Sequence, residues 1–159
     1  MKGKSRILLI GYGNPGRLDD GLGPALAAEA EKWNIPGLTV ESDYQLTVED
    51  AELVARHETV IFADASVNGA EPFALEWLEP KPTLSFSTHS VEAAAVLGLA
   101  HQMFGAKTAG YVLGIRGYMF DAFEERLSDK AKENLRAAAE YMKKTLSEGS
   151  LPENGVHVN

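Results

Sequence analysis

The chain predicts a three-layer α-β-α fold, an open and mostly parallel twisted sheet of about five strands with helices on both faces. Two observations carry this. Short apolar runs halted by glycine or aspartate alternate with stretches of helical period, the order expected of β-α-β units. The first run, Ile7 to Ile10, is also uninterrupted in its apolar character, as a strand buried on both faces must be.

Residues 6–11 read as the first strand, followed by a glycine-rich loop from Gly11 to Asp20. A helix is expected over 21–33, with Leu22, Ala25, Leu26 and Trp33 on one side, Asp19 or Asp20 available as its cap and Pro24 tolerable in its first turn. A strand at 38–42 and a helix at 48–56 precede the strand Thr59–Ala63, which ends at Asp64. A fourth strand, 73–78, has no direction legible from sequence, and Pro80 and Pro82 make 79–88 a loop. The helix expected over 90–104 is apolar nearly all round, so it should pack deep. A strand at 109–115 leads to a last helix at 129–146, where Ala131, Leu135, Ala138, Met142 and Leu146 recur at helical spacing behind a Ser128 cap. We expect one domain over 1–146. The polar, Gly- and Pro-containing stretch 147–159 reads as a disordered tail.

Composition excludes several classes of function. Of 159 residues, 15 are basic and 23 acidic, a formal net charge of -8, and the basic residues form no stripe. Nucleic acid is therefore not an expected partner, since phosphate neutralisation needs clustered Lys and Arg. There is no cysteine, which removes disulfides, thiolate metal sites and a cysteine nucleophile together. The basic start Met1 to Arg6 ahead of Ile7–Ile10 superficially suggests a signal peptide, but the apolar run is too short. No window reaches a membrane span of about 20 apolar residues. A cytoplasmic protein without membrane contact is the expectation.

Gly11-Tyr12-Gly13-Asn14-Pro15-Gly16 fits the G-x-G-x-x-G of dinucleotide-binding folds, with Glu41 and Asp43 near the end of the next strand. That site needs its last glycine to open the helix, so that bare N–H groups face the pyrophosphate. Here Arg17-Leu18-Asp19-Asp20 intervenes, and carboxylates at a helix entrance repel phosphate. A strand followed by Gly-Asn-Pro-Gly also resembles the start of peptidyl-tRNA hydrolase. That family needs a histidine soon after the loop, whereas the first here is His57.

The whole stretch Gly11 to Gly23 resembles the N-terminal signature of the hydrogenase maturation peptidases, which trim a C-terminal extension from the large subunit of nickel-iron hydrogenases. In that family a strand leads into G-x-G-N, then four residues, an acidic pair and glycine. The resemblance implies that Asp20, the second acid of the pair, is a metal ligand. Two further landmarks follow in order: Asp64 within Phe62-Ala63-Asp64-Ala65, and His89 within Ser87-Thr88-His89-Ser90. The likeness continues weakly to about residue 146. It implies an endopeptidase acting on the nickel-loaded large-subunit precursor, the divalent metal, nickel, being carried by the substrate.

The predicted topology supports part of this without the family. Loops at the carboxyl ends of strands converge where strand order reverses, commonly between the first and third strands, so Asp20 and Asp64 should be neighbours. Two carboxylates and a neutral imidazole suit a divalent ion with open positions. Asn14 and the amides of the Gly13–Gly16 loop could position the peptide, and Asp19 and Gln45 are further candidates for positioning. Separately, each residue has an ordinary role: Asp20 as a helix cap, Asp64 as a strand-end residue, His89 ahead of a capping Ser90. Arg116 could hold a substrate carboxylate, although a surface ion pair is its commoner fate. His57, His101 and His157 read as structural or solvated. Pro15-Gly16 and Gly114-Ile115-Arg116-Gly117 depart from the commonest family pattern and leave the substrate open. A metal-sensing binding or chaperone module with the same site and no hydrolysis is the competing reading.

Overall fold

The computed structural model describes residues 6–81 and 92–152 and the strand 156–158. Six strands form one sheet: β1 (Ile7–Tyr12), β2 (Leu38–Asp43), β3 (Thr59–Ser66), β4 (Phe73–Leu78), β5 (Ala109–Arg116) and β6 (Val156–Val158), in the spatial order β2-β1-β3-β5-β4-β6. The first four in that order are parallel, while β4 runs antiparallel to β5 and to β6. The strand without a legible direction turns back after the short connection 67–72 from β3, and β5 lies between the two. The order reverses between β1 and β3, as expected of a doubly wound sheet.

Each face of the sheet buries its own core. Leu9, Ile61 and Leu113 point to α1 (Leu22–Ala30) and α4 (Asp129–Glu148), packing with Leu22, Leu26, Ala138 and Met142. One residue along in β1 and β3, Leu8, Ile10, Val60 and Phe62 face α2 (Asp50–Ala55) and α3 (Ala93–Phe104), where Val54, Val96 and Leu97 meet them. This period of two, buried on both sides, is why the strands read as continuous apolar runs. Ser128 caps α4 by accepting from the Ala131 N–H, and left-handed glycines, Gly105 and Gly149, end α3 and α4.

Two expectations need correction. The tail is not wholly disordered: α4 continues to Glu148, Leu151 packs against the core, and β6 adds to β4. The Tyr111 hydroxyl donates to the Pro152 carbonyl at 2.6 Å, tying this segment to β5. Low apolar content conceals it because a three-residue edge strand is held by backbone bonds rather than by burial. The first helix is also not capped by an aspartate. A 3-10 turn, Leu18–Gly21, precedes α1, whose N-cap is Gly21 with no side-chain cap.

The glycines of the first crossover are there for backbone contact. A Cβ on Gly23 would lie 2.4 Å from the Tyr12 carbonyl oxygen and 2.5 Å from that of Ala63; one on Gly11 would lie 2.1 Å from the Gly23 carbonyl oxygen. The first turn of α1 therefore rests directly on β1 and β3. By contrast Gly16, the last glycine of the apparent dinucleotide motif, meets nothing closer than the Asn14 side chain at 3.3 Å. Gly23→Ala should cost about 3 kcal/mol, since carbonyl oxygens on two strands cannot yield as a flexible side chain would; urea denaturation measures this.

Candidate active site

At the carboxyl edge of the sheet, where β1 and β3 part, lies a cleft of about 560 Å³. Asp20, Asp64, Tyr12, Gly13 and Gln45 line it, with Lys81 and Glu92 on its far wall. The two carboxylates predicted to be neighbours thus share one cavity. Asp64 arrives through strand register: Gly11 pairs with Ala63, and one step on, Tyr12 and Asp64 stand side by side. Asp20 arrives through the 3-10 turn that α1 presses against the strands.

Asp64 is half-buried, and its environment favours the protonated form. Burial pushes its carboxyl up to about 6, the charge of Asp20 adds to this, and hydrogen bonds from the Ala65 N–H and the Tyr12 hydroxyl oppose it. Tyr12 in turn is raised far above the usual phenol range by burial and by Asp64, so it stays a donor. Tyr12 is absent from the candidates that the sequence suggests. A signal exists in the alternation Leu8, Ile10, Tyr12 on β1 and Val60, Phe62, Asp64 on β3, which puts both side chains on one face.

Asp20 accepts the Asn14 N–H on Oδ2 at 2.8 Å, and among the described residues no donor takes its Oδ1. Its helix-capping role is absent, which leaves it free to face the cleft.

The adjacent Asp19 has the opposite fate. It is fully buried and accepts four hydrogen bonds, from the N–H groups of Tyr118, Met119 and Ser128 and the Ser128 hydroxyl, at 2.7 to 3.0 Å. Burial would raise its carboxyl, but these donors outweigh it and hold the group below its usual range. Its positioning role is therefore indirect: it fastens the turn bearing Asp20 to the β5–α4 connection. The same turn carries Leu18 at φ 51°, left-handed for a non-glycine, held by its N–H to the Glu124 carbonyl at 2.9 Å and by a buried side chain. Such a conformation costs about 1 to 3 kcal/mol and persists only where its surroundings impose it.

The loop amides considered for positioning the peptide are engaged within the protein. Gly13 N–H donates to the Asp43 carbonyl, Asn14 N–H to Asp20, and Gly16 N–H to Asn14 Oδ1, while Pro15 has none. The Asn14 side-chain oxygen is thereby also engaged within its own turn. Arg116 is likewise occupied, donating to the Gly69 carbonyl at 2.8 Å and lying 5.0 Å over the Tyr118 ring. His57 and His101 hydrogen-bond backbone carbonyls of Leu53 and Thr108 and are structural. His89 lies outside the described residues. Among the described residues no group of three or more His, Asp or Glu is arranged to hold a metal ion, so Asp20 and Asp64 stand there as a pair.

No protein-family model matches the chain, and no curated protein sequence matches it. Solved structures match in fold. The [NiFe] hydrogenase maturation protease HycI from Thermococcus kodakarensis KOD1 superposes with a TM-score of 0.71 at 24% identity, over 92% of this chain and 95% of that one. The hydrogenase maturating endopeptidase HybD from E. coli gives 0.66 at 22%, over 95% and 94%. A hydrogenase 2 maturation peptidase from Thaumarchaeota archaeon SCGC_AB-539-E09 gives 0.66 at 22%, over 92% and 99%.

Two stability experiments follow from this geometry. Asp19→Asn should cost about 2 to 3 kcal/mol in urea denaturation, because an amide turns a donor toward groups that are all donors. Asp64→Asn should raise Tm at pH 7 in chelator-treated buffer, and the gain should vanish by pH 4. The sign follows from a folded value near 6 above an unfolded one of about 3.9: as pH rises between them the unfolded carboxyl loses its proton first, and wild-type stability falls.

Proposed function

We propose that this chain is a maturation endopeptidase, removing a C-terminal extension from the nickel-loaded precursor of a hydrogenase large subunit. The observation that carries the proposal is the convergence of Asp20 and Asp64 on one cleft at the strand-order reversal. It is supported by a fold shared with proteins named as hydrogenase maturation proteases.

The chemistry of the pair fits a divalent cation. Two carboxylates facing one cavity repel each other, and Asp64 carries the consequence as a raised proton affinity; a cation between them relieves both the repulsion and the burial cost. In this reading the nickel is part of the substrate, and Asp20, Asp64 and His89 recognise it. Lys81 and Glu92, the described residues that flank the segment containing His89, both line the cleft.

The metal supplies Lewis acidity at the scissile carbonyl when substrate is bound. Tyr12 holds the Asp64 carboxylate in place through its hydroxyl, and the Ala65 N–H fixes one Asp64 oxygen. The Asp64 carboxylate takes the proton of the attacking water and returns it to the leaving amine. Asp20 uses the oxygen not occupied by Asn14 to engage the metal-bearing group.

Asp20→Asn, Asp64→Asn and His89→Ala should each lower cleavage of a nickel-loaded large-subunit precursor at least ~1,000-fold while circular dichroism stays native. Intact mass of the precursor before and after incubation reads the result. A precursor left whole by the wild-type chain, or trimmed equally well by Asp20→Asn, defeats the proposal.

A further inference from the structure

Beside the cleft lies a sheet edge that no described strand covers. Among the described residues β2 is the outermost strand and pairs only with β1. Its hydrogen-bond phase is fixed at both ends, where Ile7 N–H donates to the Gly37 carbonyl at 2.9 Å and Gly13 N–H to the Asp43 carbonyl at 3.0 Å. Peptide groups along a strand alternate in direction, so those of Gly37, Thr39, Glu41 and Asp43 face β1, and those of Val40 and Ser42 point outward. Among the described residues no hydrogen bond takes them up. Such an edge is a ready template for another extended segment.

What distinguishes this edge is where it leads. The strand runs into Tyr44, Gln45 and Leu46, which line the cleft holding Asp20 and Asp64. Beside its last two residues lies a recess of about 240 Å³, walled by Pro15 and Pro24 on one side and Ser42, Asp43 and Tyr44 on the other. A segment paired with β2 would alternate its side chains across the two faces, and one of them would drop into this recess on the way to the carboxylates. The exposed carboxylates of Glu41 and Asp43 add charge of one sign along the same edge.

We propose that β2 is the docking edge for the substrate, adding as a strand an extended segment that carries at least one Lys or Arg, and feeding it past Tyr44 to Asp20 and Asp64. This rests on the peptidase reading above and names what delivers the scissile bond. Backbone pairing supplies affinity with little demand on sequence, while the recess and the acidic edge select side chains.

The test uses the full chain and the nickel-loaded large-subunit precursor. Ser42→Pro removes an outward N–H and no bond of the β1–β2 ladder, so it should raise KM for the precursor at least tenfold with kcat changed less than threefold and Tm close to wild type. Independently, in the Asp20→Asn chain, residue-resolved hydrogen–deuterium exchange should slow at Val40 and Ser42 on adding precursor and stay unchanged at Thr39 and Glu41, which already bond β1. Wild-type KM in Ser42→Pro, or precursor-induced protection confined to other segments, overturns the docking edge while leaving the peptidase reading intact. Protection of Val40 and Ser42 that grows with the chain's own concentration places a second copy there instead and also overturns it. A precursor that the wild-type chain does not cut overturns both.

Discussion

At Gly23 the backbone of a helix touches the backbone of two strands, and the position of everything in the cleft follows from that contact. The carbonyl oxygens of Tyr12 and Ala63 lie where a Cβ would be. A side chain there would lift α1 off the sheet and carry with it the turn bearing Asp20. Because the helix sits so low, an acidic residue from a crossover and one from the neighbouring strand can share a cavity. The same contact accounts for a loop rich in glycine without any phosphate for the glycines to serve.

The acidic pair Asp19-Asp20 shows how one local sequence separates structure from chemistry. Asp19 stays ionised in the interior, its charge absorbed by four donors from the β5–α4 connection. Among the described residues Asp20 is anchored through one oxygen only, and its side chain lines the cleft. Fastening by the first residue lets the second remain under-satisfied without drifting, which is what a ligand-receiving carboxylate needs. The strained backbone at Leu18 belongs to the same arrangement, since the bonds that impose it are those fixing the turn. Stability is lost at Asp64, where a second negative charge is held close in a partly buried place, and is recovered at Asp19 and in the two cores.

The sheet is legible in the sequence because its strands are buried on both faces, and unbroken apolar runs as short as Ile7–Ile10 and Val60–Ala63, each closed by glycine or aspartate, seldom arise from anything but a buried strand. Strand order follows from handedness and alternation, and with it the meeting of Asp20 and Asp64. Interactions that leave no periodic trace are not legible. The three-residue β6 is fixed by pairing with β4, not by composition. Whether Asn14 and the loop amides point outward or inward depends on turn geometry, and Gly13 at φ 139° turns its N–H onto the Asp43 carbonyl. Asp19 and Asp20 look alike in sequence, and only the distant residues 118, 119 and 128 decide which of them is buried. Tyr12 lies within reach of strand alternation, but an aromatic residue between two glycines reads first as a spacer.

The loop after β1 also shows what decides the sign of the ligand that a strand-loop-helix element attracts. In a phosphate-binding version the amides stay unpaired and project outward at the positive end of the helix. Here the N–H groups of Gly13, Asn14 and Gly16 are consumed within the protein by the Asp43 carbonyl, the Asp20 carboxylate and the Asn14 side chain. Once those donors are turned inward, what the loop and the end of β3 present to the cleft is the pair of carboxylates, Asp20 and Asp64. Donor consumption and acceptor exposure are therefore one event. An edge of the sheet that in other chains gathers anions becomes, with four residues between the last motif glycine and α1's own N-cap glycine, an edge lined by carboxylates.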